Sequence, residues 1–151
     1  MTHHNFLFSP SAWLGGGSIS FNVADDKLSF RTQWIISKAR AKNEIPIVQE
    51  IEIEGFDKKI KSQYFFSNIT SDSFDVKMEN NIVGTVLGKG VINPKKIAWE
   101  FRDSKTGFEG IEIFEIQPEG TYLTHAEFTT PHLYRTIVHG KVSRHPDKSK
   151  D

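Results

Sequence analysis

The chain has 151 residues, enough for a single domain of residues 1–151 that buries about 70% of its unfolded surface. The 19 lysines and arginines balance the 19 aspartates and glutamates, so there is no overall basic field of the kind that attracts nucleic acid or acidic membranes. Cysteine is absent, which excludes disulfides and thiolate metal sites and favours the cytoplasm.

We expect no targeting or membrane segment. The first residues lack a basic region followed by a long apolar run, which argues against a signal peptide. No stretch approaches the ~18 apolar residues of a membrane helix, so membrane insertion is not expected. We place the core in residues 12–143 and expect the polar residues 144–151 to be flexible.

The first two segments alternate in character as strands do. One side of the first carries Trp13, Gly15, Gly17, Ile19 and Phe21. A tight turn at residues 24–27 leads to a second strand with Leu28, Phe30, Thr32, Trp34 and Ile36 on one side. This turn leaves no room for a helix. Residues 37–45 are polar and fit one helical turn or a loop.

The next segments continue the pattern. In residues 47–54 the odd positions face inward, with Gln49 as the polar exception, and the glutamates face outward. Further strands carry Ile60, Ser62, Tyr64 and Phe66, then Phe74, Val76 and Met78. If Met78 and Val86 share a face, the loop between their strands must have an odd length, such as Glu79-Asn80-Asn81, and we expect an asparagine at positive φ there.

Residues 82–102 form a hairpin whose register can be worked out. Two alternating runs flank a turn that contains Pro94. Pairing across it sets Ile92 opposite Ile97, Gly90 opposite Trp99 and Gly88 opposite Phe101, while Lys89 meets Glu100 on the other face. The register predicts one face of rings over glycines, which is the interior.

Extending this register through three further hairpins predicts the remaining interior. It pairs Trp99 with Ile111, Ile111 with Ala126, and Ala126 with Arg135. The predicted inner face consists of Ile97, Trp99, Phe101, Ile111, Ile113, Tyr122, Ala126, Phe128, Leu133 and Ile137. The predicted outer face includes Glu100, Arg102, Glu112, His125 and Glu127. A bulge in any loop would reverse the faces downstream of it.

These patterns predict an all-β fold of about ten short strands. An up-and-down antiparallel barrel is the simplest solution, because closure removes exposed strand edges. A β-sandwich is the alternative. A ten-stranded barrel is wider than one that its side chains alone can fill, so we expect an internal cavity.

The predicted cavity suits an apolar ligand with one polar or anionic end. Its predicted lining is Trp34, Gln49, Tyr64, Trp99, Phe101, Ile111, Ile113, Tyr122, Arg135 and Ile137. A cation on an apolar wall must be paired, so Arg135 is interpreted as the anchor of a ligand carboxylate, assisted by Tyr122 or Gln49. The alternatives are an internal pair with a glutamate or a register shifted by one residue.

The histidines are weak candidates for a metal or haem site. In the derived register His125 and His139 lie on opposite faces, so with His132 in a turn they cannot form one zinc site. A single axial ligand is enough for haem, and His132 or His139 could supply it. Glu112, His125 and Glu127 resemble an acid–base group, but they are interpreted as an outer charged pattern. No nucleophile–base pair is recognised, so catalysis is not expected.

The segment Trp13 to Gly17, the meander of short strands and a late arginine, Arg144, together resemble the calycin superfamily. This group contains lipocalins, fatty-acid-binding proteins and nitrobindin-like haem barrels, and the resemblance implies packing of Trp13 against Arg144. The chain lacks the two helices of fatty-acid-binding proteins and the disulfides of secreted lipocalins. Trp13, Gly15 and Gly17 match the early motif of nitrobindin-like barrels, whose late His-Leu is similar to His132-Leu133.

The sequence therefore predicts a cytoplasmic, non-catalytic barrel that binds a small hydrophobic or amphiphilic molecule. No cofactor is required by this interpretation. One alternative is a haem-binding barrel. The other is a structural or protein-interaction barrel without a ligand, in which an outer face mediates homodimer formation.

Overall fold

A computed structural model describes residues 4–21, 27–129 and 135–145, and it forms a closed β-barrel of ten strands. The strands are β1 Ser11–Phe21, β2 Lys27–Ile36, β3 Ile45–Ile53, β4 Ile60–Ser67, β5 Ser73–Asn80, β6 Gly84–Ile92, β7 Lys96–Arg102, β8 Glu109–Ile116, β9 Tyr122–Thr129 and β10 Arg135–Arg144. A single 3-10 turn, Ala41–Asn43, lies between β2 and β3. Across these residues no helix is long and apolar enough to cross a membrane.

Each strand pairs with its neighbour in sequence, and β10 pairs with β1 to close the barrel. All pairings are antiparallel, which confirms the up-and-down topology and excludes the sandwich. Closure leaves none of the ten strands with a free edge. Trp13 lies opposite Arg144, so the final strand extends one residue beyond the predicted core.

The barrel interior follows the alternation of the first seven strands. In β3, Ile45, Ile47 and Ile53 are buried, and Gln49 occupies the same inner row as predicted. In β5, Phe74, Val76 and Met78 are buried while the residues between them are only partly covered. Because successive side chains of a strand point to opposite faces, this pattern fixes the inner side from β1 to β7.

The hairpin of β6 and β7 has the predicted register. Gly90 lies opposite Trp99, Gly88 opposite Phe101, and Lys89 opposite Glu100. Although Trp99 is the paired residue, the ring that covers Gly90 is that of Phe74 in β5. A Cβ on Gly90 would lie 2.1 Å from the Phe74 ring. The glycine therefore accommodates a ring instead of leaving empty volume, and Lys89 forms its ion pair with Asp75 at 2.7 Å.

The loop between β5 and β6 has an odd length, as predicted. Asn80 pairs with Gly84, so the three-residue loop is 81–83, two residues later than the predicted 79–81. Positive φ occurs at Gly84 (φ 75°), so the expectation of an asparagine in that conformation is wrong. The Asn80 side chain instead accepts hydrogen bonds from the backbone of Ile82 and Val83, both at 2.9 Å.

The predicted register fails first between β7 and β8. Trp99 lies opposite Glu112 and Ile97 opposite Phe114, one residue later than predicted. The cause is a six-residue loop, 103–108, closed by a hydrogen bond from Asp103 N–H to the Phe108 carbonyl oxygen (2.8 Å). The shift exchanges the faces of β8, as a one-residue slip must.

The shift in β8 places aromatic rings inside at the expense of isoleucines. Phe108, Glu112 and Phe114 are buried, whereas Ile111 and Ile113 lie in the outer row. Both rows of β8 contain apolar residues, so the local alternation of the strand does not decide which row is buried.

A second one-residue shift lies between β8 and β9, where Ile111 pairs with Glu127 instead of Ala126, so β9 keeps its predicted faces. The third register error lies between β9 and β10. Ala126 pairs with Val138, not with Arg135, which lies opposite Thr129. The predicted turn at residues 129–132 is too short, because β9 ends at Thr129 and β10 begins at Arg135. Arg135, Ile137 and His139 consequently occupy the outer row, and Thr136 and Val138 the inner row. Leu133 lies outside the described residues.

Candidate functional site

The two ends of the barrel differ in how they are filled. The end formed by the starts of β1, β3, β5, β7 and β9 is packed with aromatic side chains. Its buried rings are Trp13, Trp34, Tyr64, Phe66, Phe74, Trp99, Phe114 and Tyr122. Trp99 stacks on Phe114 with ring centroids 5.2 Å apart. This end is a packed core.

The segment that precedes β1 seals the packed end. Phe6 and Leu7 are fully buried, and the Phe6 ring lies 4.9 Å from that of Trp13. His4 is also buried: its Nε2–H donates to the Asn93 carbonyl oxygen at 2.7 Å, and its Nδ1 lies 2.7 Å from the Tyr122 hydroxyl. Residues 4–8 carry no strand alternation, so the sequence gives no sign of this packing.

The other end of the barrel contains an open cavity of about 360 Å³. Most of its wall is apolar, with Ile19, Ile51, Ile53, Met78, Phe128 and Val138 as the main contributors. The polar members of the wall are Gln49, Ser62, Tyr64, Asn80 and Thr136. A mostly apolar concavity with a few polar groups is typical of small-molecule sites, which measure about 300–1,000 Å³.

The mouth of this cavity is apolar and exposed. Phe56, in the loop after β3, is 52% exposed, and Ile82, in the loop after β5, is 65% exposed. Both side chains line the cavity, and the Phe56 ring stacks on Phe21 with centroids 6.5 Å apart. Large apolar side chains at an opening are typical of a site that meets an apolar partner.

A smaller cavity of about 50 Å³ adjoins the larger one toward the packed end. The two share Ile19, Gln49, Ile51, Phe128 and Val138 as walls. The smaller cavity also touches Trp34, Thr32, Glu112 and Thr124. Its size suits a small polar group or a few water molecules.

Glu112 is the buried carboxyl of this smaller cavity. The Tyr64 hydroxyl and the Trp99 indole N–H each donate to its Oε2 at 2.8 Å. Burial raises the pKa of Glu112 to about 7, although the two hydrogen bonds act in the opposite direction. Burial, followed by the neighbouring Glu112 carboxyl, raises the pKa of Tyr64 well above its ordinary value.

The polar cluster extends from Glu112 to β2. The Tyr64 hydroxyl also lies 3.5 Å from Gln49 Oε1, and Gln49 Nε2 donates to Thr32 Oγ1 at 3.2 Å. Thr32 in turn donates to the Glu50 carbonyl oxygen at 3.0 Å. Thr124 Oγ1 is buried and has no hydrogen-bond partner among the described residues. Glu112 and Thr124 therefore bring polar atoms to the same small cavity.

The predicted lining residues fall into three groups. Gln49 and Tyr64 line the large cavity, and Trp34 lines the small one. Trp99, Phe101 and Tyr122 are buried and inward as predicted, but they belong to the packed interior and border neither cavity. Ile111, Ile113 and Ile137 lie in the outer row, in contrast to the prediction, because of the register shifts between β7 and β8 and between β9 and β10.

Arg135 lies on the outer surface, in contrast to the prediction. Its guanidinium pairs with the Glu127 carboxylate, with Nε 3.1 Å from Oε1. This pair lowers the pKa of Glu127, with a further contribution from His125. The interpretation of Arg135 as an internal carboxylate anchor is therefore wrong, and the alternative of a shifted register applies.

The histidines are arranged differently from the prediction. His125 and His139 lie opposite each other on the same outer face, with Nδ1 atoms 3.3 Å apart. His139 is exposed there and points away from the cavity side of β10. His132, the other candidate haem ligand, lies outside the described residues. Within the described part of the chain no three side chains cluster as a metal site.

The fold and the site together define an up-and-down β-barrel with one packed end and one open, apolar cavity. The sequence matches no protein-family model, and it matches none of the curated proteins with which it was compared.

The sequence did not single out two residues of the site. The predicted register puts Glu112 on the outer face, because it lacks the one-residue shift in the loop before β8, and the sequence around Thr124 does not indicate a role. The indication in the sequence is compositional: Phe108, just before β8, and Phe114, within it, are in phase with Glu112.

Proposed function

We propose that the barrel binds a small, largely apolar molecule in its open end without chemically transforming it. The observation that supports this function is the cavity of about 360 Å³ with an apolar wall and an apolar mouth. Burial of a ligand against such a wall is favourable by roughly 25 cal/mol per Å² of apolar surface. A packed interior, such as the other end of the barrel, would offer a ligand no such surface.

A calycin-like relationship is part of the proposal. The closed antiparallel barrel is compatible with that fold, and Trp13 and Arg144 occupy opposing positions in β1 and β10. Among the described residues no helix pair is inserted between the strands, in contrast to fatty-acid-binding proteins. The cytoplasmic location, inferred from composition, belongs to the same proposal.

The test is a binding titration with the neutral dye N-phenylnaphthylamine, whose fluorescence rises in apolar surroundings. Val138→Phe fills the cavity from the inner face of β10, and Ile137→Phe adds the same ring one residue away on the outer face. We expect saturable binding to the wild type and to Ile137→Phe, and at least about tenfold weaker binding to Val138→Phe. Absence of saturable binding, or equal binding to all three proteins, would contradict the proposal.

Haem binding is the alternative function that the sequence suggests. The wall of the large cavity, as far as the structure describes it, contains no histidine. We therefore expect haem titration to leave the Soret spectrum of haem as it is in buffer. A shifted, saturable Soret band that is lost in His132→Ala would favour the haem barrel instead.

A further inference from the structure

The small inner cavity contains the carboxyl group of Glu112, which bears on the polar head group that a ligand can place there. The Glu112 side chain is buried and lines the smaller cavity, next to the large apolar one. Its two hydrogen bonds both reach Oε2. The hydrogen bonds of the described residues leave Oε1 as an acceptor for a donor placed in the cavity.

No cationic group of the described walls balances this carboxyl. The other charged residue of the small cavity's wall is Lys141. Its Nζ lies 3.0 Å from Glu119 Oε2, on the outer surface. Arg135, which the sequence predicts in the cavity wall, is paired with Glu127 outside the barrel. A ligand carboxylate placed beside Glu112 would therefore meet a like charge or a carboxyl that must stay protonated.

Thr124 provides a second, independent indication of a ligand. Its Oγ1 is buried without a hydrogen-bond partner in the described structure, and Thr124 lines the same small cavity as Glu112. Buried polar atoms are rarely left unpaired, because each such atom costs about 1–3 kcal/mol. A polar head in this cavity would pair with both side chains.

We propose that the cavity selects apolar molecules with a hydrogen-bond-donating head, an alcohol or an amine, and discriminates against carboxylates. The head occupies the small cavity and donates to Glu112, and the Thr124 hydroxyl completes its hydrogen bonds. The chain of the ligand fills the large cavity toward Phe56 and Ile82. This inference rests on the function proposed above, and it reverses the head-group chemistry that Arg135 would have implied.

The experiment compares decanol, decylamine and decanoic acid, which share one chain length and differ in their heads. Each displaces N-phenylnaphthylamine from the wild type, from Glu112→Gln and from Glu100→Gln. Glutamine keeps an oxygen that accepts from Tyr64 and Trp99, so Glu112→Gln preserves the local hydrogen bonds. Glu100 is exposed on the outer face of β7, and its substitution is the matched control.

We expect decanol and decylamine to bind the wild type at least about tenfold more tightly than decanoate near neutral pH. In Glu112→Gln the decanoate disadvantage should shrink by about tenfold, whereas Glu100→Gln should keep the wild-type order. Thr124→Val, which removes only the hydroxyl, should weaken decanol several-fold. Tighter binding of decylamine than of decanol would indicate an ion pair with Glu112. Tighter binding of decanol would indicate a neutral hydrogen bond, and both results support the proposal.

Decanoate binding as tight as decanol, or an unchanged order in Glu112→Gln, would overturn the inference. The wild-type series decides the question even if a variant fails to fold. If the dye binds but none of the three ligands displaces it, the head-group inference fails and the proposed function stands. If the dye does not bind either, the proposed function itself fails.

Discussion

Burial of the Glu112 carboxyl couples the stability of the barrel to pH. Its pKa is about 7 in the folded protein and close to the ordinary 4.5 once the chain unfolds. Between these values the folded state holds a proton that the unfolded state has released. The free energy of unfolding therefore falls as the pH rises through this window, and it levels off above the folded pKa.

We predict a loss of about 3 kcal/mol in the free energy of unfolding from about pH 4.5 to pH 7.5, at about 1.4 kcal/mol per pH unit of pKa difference. Urea denaturation across that range measures it. Glu112→Gln should abolish the slope, because the amide does not titrate. Glu119→Gln should retain it: the exposed Glu119 has its pKa lowered to about 2 and acts only in stronger acid. A pH-independent wild type would refute this assignment.

At the scale of elements, the hairpin of β6 and β7 joins its neighbour β5 through a ring seated on a glycine. Phe74 lies opposite Gly90, and a Cβ there would approach the ring to 2.1 Å. We predict that Gly90→Ala destabilises the barrel by about 1–3 kcal/mol through overpacking. In the double variant with Phe74→Leu, the smaller side chain should relieve the clash.

Chemical denaturation of both single variants and the double variant measures this coupling. We expect a favourable coupling energy of at least about 0.5 kcal/mol, since the residues are in direct contact. Val91→Ala, on the exposed face of the same strand, serves as the control and should change stability little. Strict additivity of the Gly90 and Phe74 substitutions would show that the ring does not depend on the missing Cβ.

The strand registers differ in how well the sequence predicts them. The β6–β7 register could be derived because both runs alternate cleanly and a short turn joins them. The β7–β8 register could not, since β8 has apolar residues in both rows and the length of loop 103–108 depends on its own hydrogen bonds. The one-residue shift between β7 and β8 places Glu112 on the inner face. The packing of residues 4–8 had no periodicity to reveal it.

At the scale of the whole molecule, the barrel is stabilised unevenly along its axis. The packed end contains most of the buried rings, and His4 and Phe6 close it. The open end has a cavity where the packed end has side chains, and cavities remove dispersion contacts from the atoms around them. Local opening should therefore require less free energy at the open end.

Native-state hydrogen exchange should resolve this difference within single strands. In β3 and β4 we predict faster exchange near Ile53 and Ile60, at the open end, than near Ile47 and Phe66, at the packed end. Saturating decanol should slow exchange at the open end by a factor that grows with its ratio of concentration to Kd, and leave the packed end little changed. Val138→Phe should remove this ligand effect. Uniform protection along both strands, or equal slowing at both ends, would contradict a barrel divided into a rigid half and a binding half.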